Sequence, residues 1–69
     1  SKASTSKTPS LNQPGQHLIN TTLTLQQPIK YGRSRVHIHD SIWRIEGPDL
    51  PVGTKVTVIG VKGNALIVD

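Results

Sequence analysis

The run TKVTVIGVKGNALIVD, residues 54–69, constrains this chain more than any other stretch. Val56 and Val58 fall on one side of an extended backbone and Thr57, Ile59 and Val61 on the other, because side chains alternate faces along a strand. Gly63-Asn64 supplies the tip of a tight hairpin, and ALIVD returns as a second strand. Both segments are apolar on two faces. One face must enter a core and the other must be covered by a neighbour or by curling of the sheet. The same period recurs upstream. TLTLQ (22–26) sets Leu23 and Leu25 against Thr22, Thr24 and Gln26. RVHIH (35–39) sets Val36 and Ile38 against Arg35, His37 and His39. IWRIE (42–46) sets Trp43 and Ile45 against Ile42, Arg44 and Glu46. A turn at Asp40-Ser41 joins the last two segments, and GPDLPVG (47–53) is too rich in Pro and Gly for helix or central strand.

No window shows a helical period. Five short strands rich in Val, Ile and Thr imply an all-β domain, a small antiparallel barrel of the five-stranded OB-like kind. An SH3-like barrel is the other arrangement that five such strands allow. The expected core is Leu23, Leu25, Val36, Ile38, Trp43, Ile45, Val56, Val58, Leu66 and Val68. Trp43, the only tryptophan, is expected as its buried anchor.

Size limits the chemistry. With 69 residues there is one domain, and a core this small supports no large cleft. Residues 1–10, SKASTSKTPS, have the composition of a disordered tether, and residues 11–69 are expected to form the barrel. There is no cysteine, hence no disulfide, thiolate nucleophile or sulfur-bound zinc. No segment approaches the length of a membrane-spanning helix, so the domain is expected to be soluble.

His37 and His39, two apart in a strand, would share a face as metal ligands do, but a third ligand must come from His17 or Asp40, neither fixed nearby. No metal or cofactor is expected. Ser34 and Ser41 lie near histidines without a nucleophile elbow, and the four acids, Asp40, Glu46, Asp49 and Asp69, are scattered. No catalytic residue is assigned. The net charge of +4 favours acidic partners or an anionic membrane surface, and it equally fits a charge that serves only solubility. Arg33, Arg35, His37 and Arg44 would form a basic face, which makes single-stranded nucleic-acid binding the alternative function. With no Phe, one Tyr and one Trp, stacking platforms are scarce. A protein-docking surface is the other reading. Its candidates are Tyr31, Leu50 and Val52 in loops, together with the basic residues Arg33, Arg35, His37 and Arg44 and the outward Ile42.

Several spaced motifs add to this. They are G-x-x-L-I at Gly15 to Ile19, Y-G at Tyr31-Gly32 and D-S-x-W at Asp40 to Trp43. L-P-V-G-T-x-V-x-V follows at Leu50 to Val58, and V-x-G-x-x-L-x-V at Val61 to Val68. In this order the chain resembles the soluble C-terminal domain of NfeD-like membrane proteins, in their short bacterial subgroup. Asn20 stands where that family often has a second glycine, and Asn tolerates the left-handed backbone a glycine would supply. The resemblance implies an OB-like barrel tethered by residues 1–10 to the helices of a bacterial inner-membrane protein, on its cytoplasmic side. It further implies a non-catalytic role beside a membrane-bound partner of the stomatin, prohibitin or flotillin type. Longer family members carry a Clp-type serine protease domain. Nothing here matches that domain, so its activity is not carried over.

Overall fold

The computed structural model describes residues 14–69. The expected tether, residues 1–10, and the expected start near Leu11 lie outside the described residues. Among the described residues a 3₁₀ turn, Gln16–Leu18, precedes five strands: β1 (Thr22–Thr24), β2 (Arg33–Ile38), β3 (Ser41–Glu46), β4 (Lys55–Lys62) and β5 (Ala65–Val68). They form one sheet in the order β1-β4-β5-β3-β2, curled into a half-barrel. The all-β, five-stranded, barrel-like architecture follows from the alternation in the sequence.

The pairing departs from a purely antiparallel barrel in one place. β2 with β3, β4 with β5 and β1 with β4 are antiparallel, whereas β3 and β5 run parallel. Those two strands are not consecutive. The 47–54 loop carries the chain away from β3 before β4 and β5 fold back as a hairpin, so no tight turn forces β3 and β5 to oppose each other.

Two strand limits also shift. The β2–β3 turn is His39-Asp40, one residue earlier than expected, because His39 takes a positive φ of 55° and Ser41 already pairs with Ile38. β1 stops at Thr24 rather than Gln26. The Leu25 N–H donates to the Thr54 carbonyl, and the Leu25 carbonyl accepts from the Gly53 N–H. Gln26 then closes the seam between the two sheet edges with its side chain. Its Nε2 donates to the His37 carbonyl and its Oε1 accepts from the His37 N–H, each at 3.0 Å. A side-chain amide thus stands in for the strand that would otherwise pair with β2, and it covers part of an exposed edge.

The buried core cluster comprises Leu18, Leu25, Ile29, Val36, Ile45, Val56, Val58, Leu66 and Val68. Full burial of such side chains contributes about 1.5–3 kcal/mol each. Leu23, Ile38 and Trp43 are only half-buried and pack on the rim of this cluster. Trp43, expected as a mostly buried anchor, is half-buried and packs against the core from its rim. Its ring lies under Gly15, where a Cβ would approach Trp43 Cζ3 to 3.0 Å and Leu66 Cδ2 to 2.7 Å. Gly15 also holds φ at 84°, so neither space nor backbone admits a side chain there. Asn20 has φ of 77°, the left-handed conformation its side chain tolerates.

Candidate functional site

The surface with most to explain begins at the hairpin preceding β2. Lys30 and Arg33 exchange backbone hydrogen bonds at 3.0 and 3.1 Å, leaving Tyr31-Gly32 as a two-residue turn. Both central residues have positive φ, 57° and 78°, the pattern of a type I′ turn. Such turns favour Asn, Asp or Gly at their first central position, and a bulky residue there is strained. Tyr31 nevertheless occupies it, with 93% of its surface exposed.

The strained turn is held from a second loop. Asp49 Oδ2 accepts from the Tyr31 N–H at 3.2 Å, and Asp49 Oδ1 accepts from the Gly32 N–H at 2.9 Å. The Gly47 N–H donates to the Gly32 carbonyl, and Ile29 and Leu50 exchange backbone hydrogen bonds below the turn. Ile29 and Leu50 pack against the core from opposite loops. Leu50 is consequently half-buried and offers only part of its side chain to a partner. Val52 lies farther along, in a turn closed by the Thr54 N–H donating to the Pro51 carbonyl, with Gly53 at φ 89°. A glycine with positive φ at the third position is the type II pattern, and it presents Val52 outward.

The β2–β3 hairpin forms the rest of the surface. Its inner pairs are Ser34 with Ile45, Val36 with Trp43 and Ile38 with Ser41. Its outer pairs are Arg33 with Glu46, Arg35 with Arg44 and His37 with Ile42. Arg33, Arg35, His37 and Arg44 are all exposed. Ile42 is 70% exposed among them. Like charges directly across a ladder are unfavourable, which makes the Arg35–Arg44 pair unusual. An open groove runs beside it, lined by Gln27, Pro28, Arg33, Ser34, Arg35 and Arg44 among others.

These placements bear on the other chemistries. His39 sits in the turn while His37 sits on the outer face of β2, so the two do not form the same-strand pair that RVHIH suggests. Among the described residues no group of three or more His, Cys, Asp or Glu converges as a metal site requires. Ser34 lies on the inner side of β2, opposite in facing to His37, and its hydroxyl donates to the Gln27 carbonyl at 3.4 Å. His37 is the one aromatic ring among the outward residues of β2 and β3. Trp43 points inward, and Tyr31 stands at the turn. Sequence reading did not single out Asp49 or Gln26. Both act through backbone groups of distant loops, and neither hydrophobic period nor charge pattern marks that role.

Residues 15–69 match the NfeD-like C-terminal, partner-binding domain. The chain is also 40% identical over 57 residues to the inner membrane protein YbbJ of Escherichia coli (strain K12). That alignment takes in 81% of this chain and 38% of YbbJ, so the chain spans little more than a third of that relative.

Proposed function

This chain belongs to the family of NfeD-like C-terminal, partner-binding domains, and from that premise we propose that it docks a membrane-bound protein partner and performs no catalysis. The parent protein sits in the bacterial inner membrane, with this domain held on its cytoplasmic side. The partner is of the stomatin, prohibitin or flotillin type, and the domain helps it organise membrane protein complexes. The docking surface centres on Tyr31, flanked by Arg33, Arg35, His37, Arg44, Leu50 and Val52.

One observation carries this reading. Tyr31 is a fully presented aromatic in a turn that disfavours it, clamped by Asp49 rather than relaxed. Aromatic anchors of this kind dominate the energetics of protein interfaces. Backbone strain persists where surrounding structure over-determines it, and it gathers at functional positions. The test is co-expression of the full-length parent with the stomatin-type protein of the same organism, followed by capture on a tag. The intact parent should retain that protein, and Tyr31→Ala should release most of it. Equal retention by Tyr31→Ala would remove Tyr31 from the interface.

A further inference from the structure

The outer pairs of the sheet can be followed across four strands. Arg35 on β2 pairs with Arg44 on β3, Arg44 pairs with Ala65 on β5, and Ala65 pairs with Lys62 on β4. Cα partners in register present their side chains to the same face, so these residues form one row across the convex side of the half-barrel. Three of the four are cations, all exposed, and the row contains no acid. The fourth, Ala65, is buried and too short to stand between the cations and anything laid over them. With strands about 4.8 Å apart, the row spans roughly 14 Å. The next row has a different balance. Glu46 stands between Arg33 and Ile67, so positive charge is concentrated rather than spread over the face. Ile42, two residues from Arg44 on the same side of β3, adds an exposed apolar contact beside the row.

We propose that this row is the docking track for an acidic segment of the protein partner, one carrying two or three carboxylates with an apolar side chain beside them. This rests on the partner-docking reading above and names the chemistry of what is docked. Two features favour a protein segment over the other polyanions. A nucleic-acid strand gains much of its affinity from stacking, and the row has no aromatic side chain. An anionic bilayer is broad, whereas the cations here form a single line on a curved sheet. Arginine forks match carboxylates bidentately, and Arg35 and Arg44 sit side by side to receive them. A bound carboxylate would also relieve the repulsion between those two side chains.

The test uses amide chemical shifts of the isotope-labelled chain, titrated at physiological ionic strength with a synthetic oligoglutamate peptide. Matched oligoglutamine, oligothymidylate and phosphatidylglycerol vesicles are the comparison probes. Oligoglutamate should shift the amides of Arg35, Arg44, Lys62 and Ala65. The double substitution Arg35→Gln with Arg44→Gln should weaken it by roughly tenfold. Lys62→Gln, on a different strand, serves as an independent second variant and should weaken it less. Lys55→Gln, an exposed cation that pairs with Thr24 outside the row, should leave the peptide affinity unchanged, and because the titration contains no partner protein its outcome is read separately from the Tyr31 capture experiment. Shifts elsewhere on the domain would overturn the proposal, as would equal affinity for oligoglutamine or for the double variant. Tighter binding of oligothymidylate or of the vesicles at the same amides would also overturn it, in favour of that polyanion.

Discussion

The two faces of the β2–β3 hairpin are built from alternate residues of the same twelve positions, yet they follow opposite rules. Inside, Val36, Ile45 and the rim residues Ile38 and Trp43 pack against Leu66, Val58 and their neighbours. Outside, two arginines oppose each other, and Ile42 remains in water across from His37. A sheet shaped by stability alone would place opposite charges or β-branched pairs at those outer rungs. The inner face thus accounts for folding, and the outer face keeps features that folding does not require. The Tyr31 turn belongs with the outer face, since its side chain contributes little packing while its backbone is strained.

The largest expected effect lies inside. Ile45→Ala removes a side chain that is 1% exposed and should lower unfolding stability by on the order of 3 kcal/mol. For a domain this small that is a large share of the total. Denaturant unfolding measures it, and a loss below about 1 kcal/mol would mean the core tolerates cavities it is not expected to tolerate. The Asp49 clamp comes next. Asp49→Ala should cost about 1 kcal/mol by freeing two amides, and hydrogen exchange at Tyr31 and Gly32 should accelerate. Unchanged exchange at those amides would show that the turn holds its shape without the carboxylate. The smallest effect is at the outer ladder. Arg35→Gln should leave stability unchanged or raise it by a few tenths of a kcal/mol, since it removes a like-charge pair at an exposed site. A clear loss would show that the arginine stem packs as part of the fold, and the contrast between the faces would weaken.

What the sequence made legible follows from what a period can encode. Alternation assigned Val36, Ile38, Trp43 and Ile45 to one side and Arg35, His37 and Arg44 to the other, and the structure keeps that division. The Gly63-Asn64 tip is where the pattern places it, with Gly63 at φ 63°. Isolated residues were less visible. Ile29 is 1% exposed but stands alone between Pro28 and Lys30, where no repeat points to it. Leu18 enters the core from a single 3₁₀ turn too short to show a period. The His39-Asp40 turn was displaced by one residue because a histidine took a backbone conformation usually left to Gly, Asn or Asp.

Long-range pairing was the least accessible. The parallel β3–β5 register depends on how the 47–54 loop crosses the sheet, and local composition says nothing about it. The bulge at Ile59 also came only from the fold. Skipping one residue between the Val58 and Gly60 pairings leaves Ile59 exposed and returns Val61 to the core side. The cationic row depends on both features, because β3 must lie beside β5 and the bulge must restore Lys62 to the outer face. The basic residues of β2 and β3 could be picked out from sequence, but their alignment with Lys62 could not.

The most direct test of the contrast between the two faces is the single substitution Tyr31→Asn, measured for thermal unfolding and for capture of the proposed stomatin-type partner. Asn relieves the positive-φ strain and forms the dipeptide that type I′ turns favour, so stability should rise by about 0.5–1 kcal/mol. In a domain of this size that corresponds to a Tm increase of several degrees, about 4–8 °C per kcal/mol. Capture of the partner should fall in the same protein. A variant that is both more stable and less able to dock is the predicted result, and a variant that loses stability or captures its partner undiminished would contradict the account.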